Sequence, residues 1–405
     1  MRFKTFLIKE EELLEEELLL EQDESRLVHL EHAEDHHINA GDDGFKHAFN
    51  TLHQTHQLLT KQKSNATVTT KYDGSPSTVF GHHPENGKFF VASKSAFNKN
   101  PKINYTHEDI EKNHGHAPGL VSKLKAALDH LPKVTKPGKV YQGDFMYHKD
   151  DGDVRDEGGK HHFTPNTITY STPKNSDHGK KISKAKMGMA VYTSYSGDNL
   201  ENMKVNYNHL PTDFGKHDDV HIINPGIDHQ KVKYEGKAQD EFLSHMRAAT
   251  DLGTKMKHDH MIDDHPTMLK THINKTIRDG TKPSLDGLKE HITNHHQKKA
   301  DKVKSDAAKE KHLGKGRSMV AHIDNNSEHF NNTLELHKHI QNAKNVLVKA
   351  LSSHNQFDHH VNGQPVKPEG AVAVINNRPT KLNDREEFNR LNFQTGQGTA
   401  PPVSN

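Results

Sequence analysis

The chain has 405 residues, with 55 Lys and Arg against 54 Asp and Glu, a net charge of +1 and no Cys. That length allows one large domain or two ordinary ones, and the balanced charge confines any polyanion site to a local patch. The lack of Cys excludes thiol catalysis, thiolate zinc and disulfides and suits a reducing cytoplasm, and no apolar run is long enough to span a bilayer.

Residues 1–22 combine a short basic and apolar start with an acidic, leucine-rich helix. Glutamates interrupt every apolar stretch, so the hydrophobic region of a secretion signal is missing. The segment reads as a solvated amphipathic helix, a coiled-coil arm or a targeting leader. Residues 44–60 place Phe45, Ala48, Phe49, Leu52 and Leu59 at helical spacing. β-like runs follow at 66–72, 76–82 and 88–94, then a helix at 119–131 with Leu120, Leu124, Ala127, Leu128 and Leu131 on one face. Strands are expected at 139–147, 161–171 and 187–195, with a Lys-rich helix at 179–186. From 238 to 353 polar helices rich in Lys and His dominate, the last marked by Phe330, Leu334, Ile340, Val346, Leu347 and Leu351. A β signal returns at 371–375, a short helix is expected at 384–391, and the Gly, Pro and Thr-rich tail reads as disordered.

Histidine is over-represented, at 37 residues. Two clusters, His32/Glu34/Asp35/His36/His37 and His258/Asp259/His260/Asp263/Asp264/His265, carry ordinary metal-ligand types. Neither has H-E-x-x-H spacing, so solvated histidines are the expectation, with a pH sensitivity set by groups titrating near about 6.5. The mean hydropathy of -0.96 agrees with a very polar surface.

Lys71-Tyr72-Asp73-Gly74 lies between two β-like runs, where a strand turns. A neutral lysine amine can attack the α-phosphate of a nucleotide and hold the nucleotidyl group as a phosphoramidate, and burial or adjacent positive charge favours the neutral amine. The same residues suit an ordinary D-G hairpin turn. Further segments follow in order: Ser93-Lys94-Ser95, Tyr141-Gln142-Gly143-Asp144-Phe145, Met189-Ala190-Val191-Tyr192, Glu369-Gly370-Ala371-Val372 and Lys381-Leu382. Singly, each has a plain reading: Gly143-Asp144 a turn, Tyr192 a core aromatic, Glu369-Gly370 a hairpin corner, Lys381 a solvated strand end.

Taken in this order, each beside a β-like run, these segments resemble the motifs of the covalent nucleotidyltransferases: ATP-dependent DNA and RNA ligases and mRNA capping enzymes. The resemblance implies an α+β fold, a ligase-type nucleotidyltransferase domain with an antiparallel central sheet, and a helical insertion. It implies Lys71 as nucleophile and Lys381 as phosphate clamp, with Asp73, Gly74, Lys94, Asp144 and Tyr192 binding the nucleotide. Glu369 would hold the metal, with ATP and Mg²⁺ as the implied cofactors; the residues leave adenine or guanine open. The domain would run over 26–237 and 354–392, with the helical insertion at 238–353, a leader at 1–25 and a tail at 393–405. Asp144 stands where these families carry Glu, one methylene longer. Only 24 residues follow Lys381, too few for the OB domain of DNA ligases and capping enzymes, which moves the reading toward RNA-ligase-like enzymes. The basic segment from Lys298 to Arg317 reads either as a backbone-tracking face or as a solvated helix face.

The chain also resembles a group of large tailed-phage proteins with a K-[YW]-D-G-[AS]-P core, a group with no settled activity. The resemblance rests on Leu30-Glu31-His32-Ala33-Glu34-Asp35, Lys71 to Pro76, residues 87–92, residues 97–102, Gln142-Gly143-Asp144-Phe145 and Pro165-Asn166-Thr167-Ile168-Thr169-Tyr170. It spans roughly residues 28–210 and 365–392 and implies a phage origin. The N-terminal segment resembles phage capsid-targeting leaders cleaved after (L/I)-x-E, which Ile8-Lys9-Glu10, Leu13-Leu14-Glu15 and Leu19-Leu20-Glu21 fit. The expected partners are 5′-phosphorylated RNA or DNA ends and phage head proteins, with no membrane, in the host cytoplasm or the virion interior. Two rivals to the polynucleotide ligase stay open. One is a head-packaged structural or DNA-binding protein that kept the fold without the chemistry; the other is an enzyme that adenylylates a protein or small molecule.

Overall fold

The structure, a computed structural model, describes residues 30–386 apart from residues 99, 209, 257–260, 262 and 263. The expected leader, the tail and all but the start of the expected 384–391 helix lie outside the described residues.

In chain order the strands are β1 (Thr67–Thr70), β2 (Ser77–His82), β3 (Phe89–Ala92), β4 (Val140–His148), β5 (Val154–Glu157), β6 (Lys160–Phe163) and β7 (Thr169–Pro173). They continue with β8 (Met187–Ser196), β9 (Lys204–Asn206), β10 (Val220–Ile223), β11 (Asp358–Val361), β12 (Gln364–Pro365), β13 (Ala371–Ile375) and β14 (Arg378–Leu382). The helices are α1 (His36–Leu59), α2 (His107–His114), α3 (Pro118–His130), α4 (Asp177–Lys184), α5 (Lys237–Gly253), α6 (His265–Asp279), α7 (Leu285–Asp301), α8 (Asp306–Asn325) and α9 (Ser327–Leu351).

The strands form three sheets, ordered β10-β8-β4-β2-β3 with β9 also on β8, β12-β11-β7-β6-β5, and β1-β13-β14. Pairing is antiparallel except where β10 lies parallel to β8. The chain is therefore α+β with antiparallel sheets. The run expected as one strand at 161–171 is two, β6 and β7, because the Pro165-Asn166 dipeptide turns the chain between them. The helix expected from residue 44 begins at His36 and kinks at Ala40 and Gly41, where Gly41 takes φ 53°.

Each helix is set by its apolar stripe. Phe45, Ala48 and Leu52 of α1 share a core with Val68 of β1, Ala371 and Ala373 of β13, Phe242 of α5, and Leu336 and Leu347 of α9. The first and last helices of the 238–353 segment are thus built around the three-stranded sheet. Between them α6, α7 and α8 gather a core of their own, from Leu269, Ile273, Ile292, Met319 and Ile323, which Ile38 also joins. Leu124 and Ala127 of α3 cover one face of the six-stranded sheet, at Phe80, Tyr141 and Met189. A further core joins that sheet to the five-stranded one through Tyr72, Met146, Tyr147, Phe163 and Tyr170. Among the described residues, no helix is long and apolar enough to cross a membrane.

The expectation of solvated histidines is corrected: His36, His37, His221, His265, His296 and His337 are among those buried. They pack as flat half-polar rings, as where His56 stacks on Phe242 with centroids 4.7 Å apart. Residues 258–260 and 263 of the second cluster lie outside the described residues. The first cluster instead forms a buried ion network. Glu34 and Lys344, both 0% exposed, pair at 2.6 Å. Arg385 forks onto the Asp35 carboxylate and comes within 3.6 Å of Glu34, and His337 Nε2 meets Asp35 at 3.2 Å. Burial pushes the Glu34 carboxyl up, but Lys344 and Arg385 outweigh it and hold it at about 2.

Removing one member of such a pair strands the other, at a cost of about 3–5 kcal/mol. Lys344→Met is expected to lower the free energy of urea unfolding by about that much, and Glu34→Gln added to it should recover at least half. A Lys344→Met protein as stable as the parent would show that the pair carries no stability. The Glu34 contribution should be present above the normal carboxylate range, near about 4.3, and be lost as pH falls toward about 2.

Candidate active site

The connection from Lys71 to Pro76 carries the chain out of one sheet and into another: β1 ends at Thr70 in the three-stranded sheet, and β2 begins at Ser77 in the six-stranded one. The conspicuous tetrapeptide of the sequence therefore sits at the seam between two sheets. Each sheet contributes side chains to it.

From the three-stranded sheet come Lys71, Glu369 and Lys381. The Lys71 backbone N–H donates to the Gly370 carbonyl at 3.0 Å, and its Nζ forms an ion pair with Glu369 Oε1. The Lys71 side chain is 27% exposed and that of Glu369 5%, so the amine sits at the mouth of the site and the carboxylate at its floor. Gly370 turns the chain between Glu369 and β13 with φ 142°, and a Cβ there would lie 2.5 Å from the Leu382 carbonyl and 2.7 Å from Asn383 Oδ1. Only glycine fits this corner. Lys381 lies on β14 opposite Val372, its backbone N–H held at 2.7 Å by the carbonyl of Glu31. Burial, and then the charge of Lys71, lower the Lys381 amine to about 8, with Glu369 opposing. Burial raises the Glu369 carboxyl against the pull of Lys71, and its Oε2 is buried with no hydrogen-bond partner among the described residues.

From the six-stranded sheet come Asp144 and Tyr192. Asp144 pairs with Ser77 on one side and Ala190 on the other. The β4–β8 register slips between Gln142 and Gly143, so Tyr192 is the extra residue of a bulge, a device that re-aims a side chain. Its hydroxyl is buried while the residue is half-buried, and burial, with Asp144, Tyr170 and Tyr72 nearby, pushes the phenol well above its usual range. Gly74 sits against this strand: a Cβ would lie 2.6 Å from Asp144 Cβ and 2.9 Å from the Phe145 carbonyl. Lys94 opens a short 3-10 helix, Lys94–Phe97, just past β3; its side chain lies outside the described residues.

Asp73, expected to contact nucleotide, has both carboxylate oxygens engaged. Asn166 Nδ2 donates to Oδ1 at 2.9 Å, and the Thr167 and Ile168 N–H groups donate to Oδ2 at 2.8 and 3.2 Å. Its own N–H donates to the Tyr170 hydroxyl at 2.6 Å. Asp73 holds the turn that presents Lys71. Its partners were legible only as the Pro165–Tyr170 stretch and Glu31 only within the Leu30–Asp35 stretch, while Arg385 beside Lys381 carried no local signal.

The structure thus brings Lys71, Glu369 and Lys381 together, with Gly74, Asp144 and Tyr192 along the adjoining strands. Among the described residues no three His, Asp or Glu converge as a metal cage. The orphaned Glu369 Oε2 is a hard oxygen of the kind Mg²⁺ takes when one carboxylate and substrate phosphates share the ion, so the residues fit that mode of holding it.

Gly74→Ala is expected to destabilise the fold by about 1–3 kcal/mol, because the added methyl meets strand backbone that cannot yield. Gly119→Ala, whose Cβ meets nothing within 4 Å, is the control and should leave the urea midpoint unchanged or raised. Equal midpoints for the two variants would remove the close-approach argument.

No curated protein and no solved structure matches the chain. Residues 27–397 match the model of a family of unknown function, DUF6267, and the chain belongs to that family.

Proposed function

We propose that the chain is an ATP-dependent nucleotidyltransferase of the polynucleotide-ligase type, with an RNA-like acceptor. The observation that supports it best is the convergence of Lys71, Glu369 and Lys381 at one seam, from positions about 300 residues apart in sequence. Two amines face one carboxylate there, and burial with the charge of Lys71 lowers the Lys381 amine to about 8. The Lys71 amine, once it has given up its proton, attacks the α-phosphorus of ATP: an N–P bond forms, the bond to the bridging oxygen breaks, and pyrophosphate leaves. The AMP held on Lys71 passes to the 5′-phosphate of a polynucleotide end, which activates that end for sealing. Lys381, with no ion pair of its own among the described residues, stabilises the charge on the α-phosphate. Mg²⁺, when bound at Glu369, would supply further positive charge to the phosphate oxygens. Asp144 would bind the ribose, and the exposed part of Tyr192 would lie against the base.

The resemblance to tailed-phage proteins supports an infected host's cytoplasm, or the virion interior, as the setting of this activity. The rival, a head-packaged protein without the chemistry, draws on Asp144 standing in place of Glu. The intact lysine–carboxylate–lysine set favours the enzyme, since perturbed titratable groups cluster at functional sites.

The test is incubation with α-³²P-labelled ATP or GTP and Mg²⁺, followed by denaturation. Label is expected on the parent chain, absent from Lys71→Ala and reduced at least ~100-fold in Lys381→Met. Because the positive charge of Lys381 is present below about 8 and fades above it, labelling should fall on the alkaline side. Lys381→Arg, charged throughout, should lose that fall. An unlabelled parent chain beside a working ligase control would sink the enzyme reading.

A further inference from the structure

A local excess of positive charge lies on the α7–α8 hairpin of the helical layer. Residues 298–317 hold eight Lys and Arg against three Asp and Glu, while the whole chain nets +1, so the remainder is acidic. The segment is the end of α7, a four-residue link and the start of α8. The two helices pack through Ile292, Met319 and Ile323 and come close where a Cβ on Gly316 would lie 2.9 Å from His296 Cβ. That buried side orients the rest of the hairpin outward.

Three of the cations are committed to carboxylates: Lys309 with Asp306 at 3.8 Å, Lys315 with Asp264 at 2.5 Å, and Arg317 with Glu310. Lys298, Lys299, Lys302, Lys304 and Lys311 are exposed, and no carboxylate among the described residues pairs with any of them. Lys298 and Lys302 stand one helical turn apart, with Lys304 just beyond the helix end, so the free amines collect at one tip. Residues 297–318 contain no Phe, Tyr or Trp. A membrane-inserting or protein-docking tip is expected to carry such anchors. A surface that reads a phosphate backbone needs charge and no apolar anchor.

The layer is also fastened beside the candidate site. Lys270 of α6 comes within 3.8 Å of the Glu31 carboxylate, and the Glu31 carbonyl holds the Lys381 backbone. We infer that the α7–α8 tip grips the phosphate backbone of the polynucleotide acceptor. The inference rests on the proposed function for the identity of its partner and not for the charge of the surface.

The test uses the full chain and a 3′-labelled, 5′-phosphorylated single strand, with anisotropy read between about 50 and 200 mM salt. A variant carrying Lys298→Gln, Lys299→Gln, Lys302→Gln and Lys304→Gln is compared with one carrying Arg at the same positions. Each single-strand phosphate contact contributes about 0.7 to the slope of log affinity against log salt. The Gln variant should therefore lose about 3 from that slope and bind at least ~10-fold more weakly, while the Arg variant binds as the parent does. Labelling of Lys71 should be equal in all three. Binding that falls in the Gln variant of a chain that never labels would uphold the grip and reject the ligase. Equal slopes for parent and Gln variant would overturn the grip. So would polyglutamate or anionic vesicles binding the parent as tightly as the nucleic acid.

Discussion

The carboxylate of Asp73 accepts three hydrogen bonds from the 166–168 turn, and the geometry of the candidate site depends on it. A carboxylate engaged at both oxygens is a rigid anchor, since releasing it would leave several polar groups unsatisfied at once. It ties the crossing between the three- and six-stranded sheets to the entry of β7 in the five-stranded one. All three sheets therefore fix the place where Lys71 projects. The Tyr170 hydroxyl, taking the Asp73 N–H, adds a second tether from the same strand.

Around that anchor the molecule divides its labour by sheet. The three-stranded sheet, wrapped by α1, α5 and α9, presents the charged groups. The six-stranded sheet, backed by α3, presents Asp144 and the bulged Tyr192. The buried Glu34–Lys344 and Asp35–Arg385 pairs are tied to the end of β14 through Arg385, just past Lys381, and stiffen the strand that carries it. Such pairs give little net stability over an apolar core but tolerate few alternative packings. That suits a strand whose exact setting matters to a neighbouring amine.

Much of this was legible in the sequence. The runs expected as strands at 76–82, 139–147 and 187–195 became β2, β4 and β8 almost to the residue, each with one face packed against α3. The glycines of Glu369-Gly370 and Asp73-Gly74 were readable only as turn corners; the close approach of neighbouring strands at both is a property of the fold. Less legible was anything joining distant parts of the chain. That β1 pairs with β13 rather than β2 leaves no trace in local periodicity. The partners of Glu34 and Asp35 lie 310 and 350 residues away, so an acidic stretch looked solvated when it was neutralised from afar. The histidines misled for a related reason: a ring buried against Phe or a helix face writes the same letter as one in water.

The pairing of Thr67–Thr70 with Ala371–Val374 has a temporal meaning. A ribosome delivers Lys71 long before the strand that must lie beside it, and closing so long a loop is entropically slow. Until β13 and β14 emerge, β1 is paired only along its other edge, by residues 225–227, and Lys71 lacks the Glu369 carboxylate. The lysine–carboxylate–lysine cluster is thus incomplete for most of the chain's synthesis, and it forms only when segments about 300 residues apart have met.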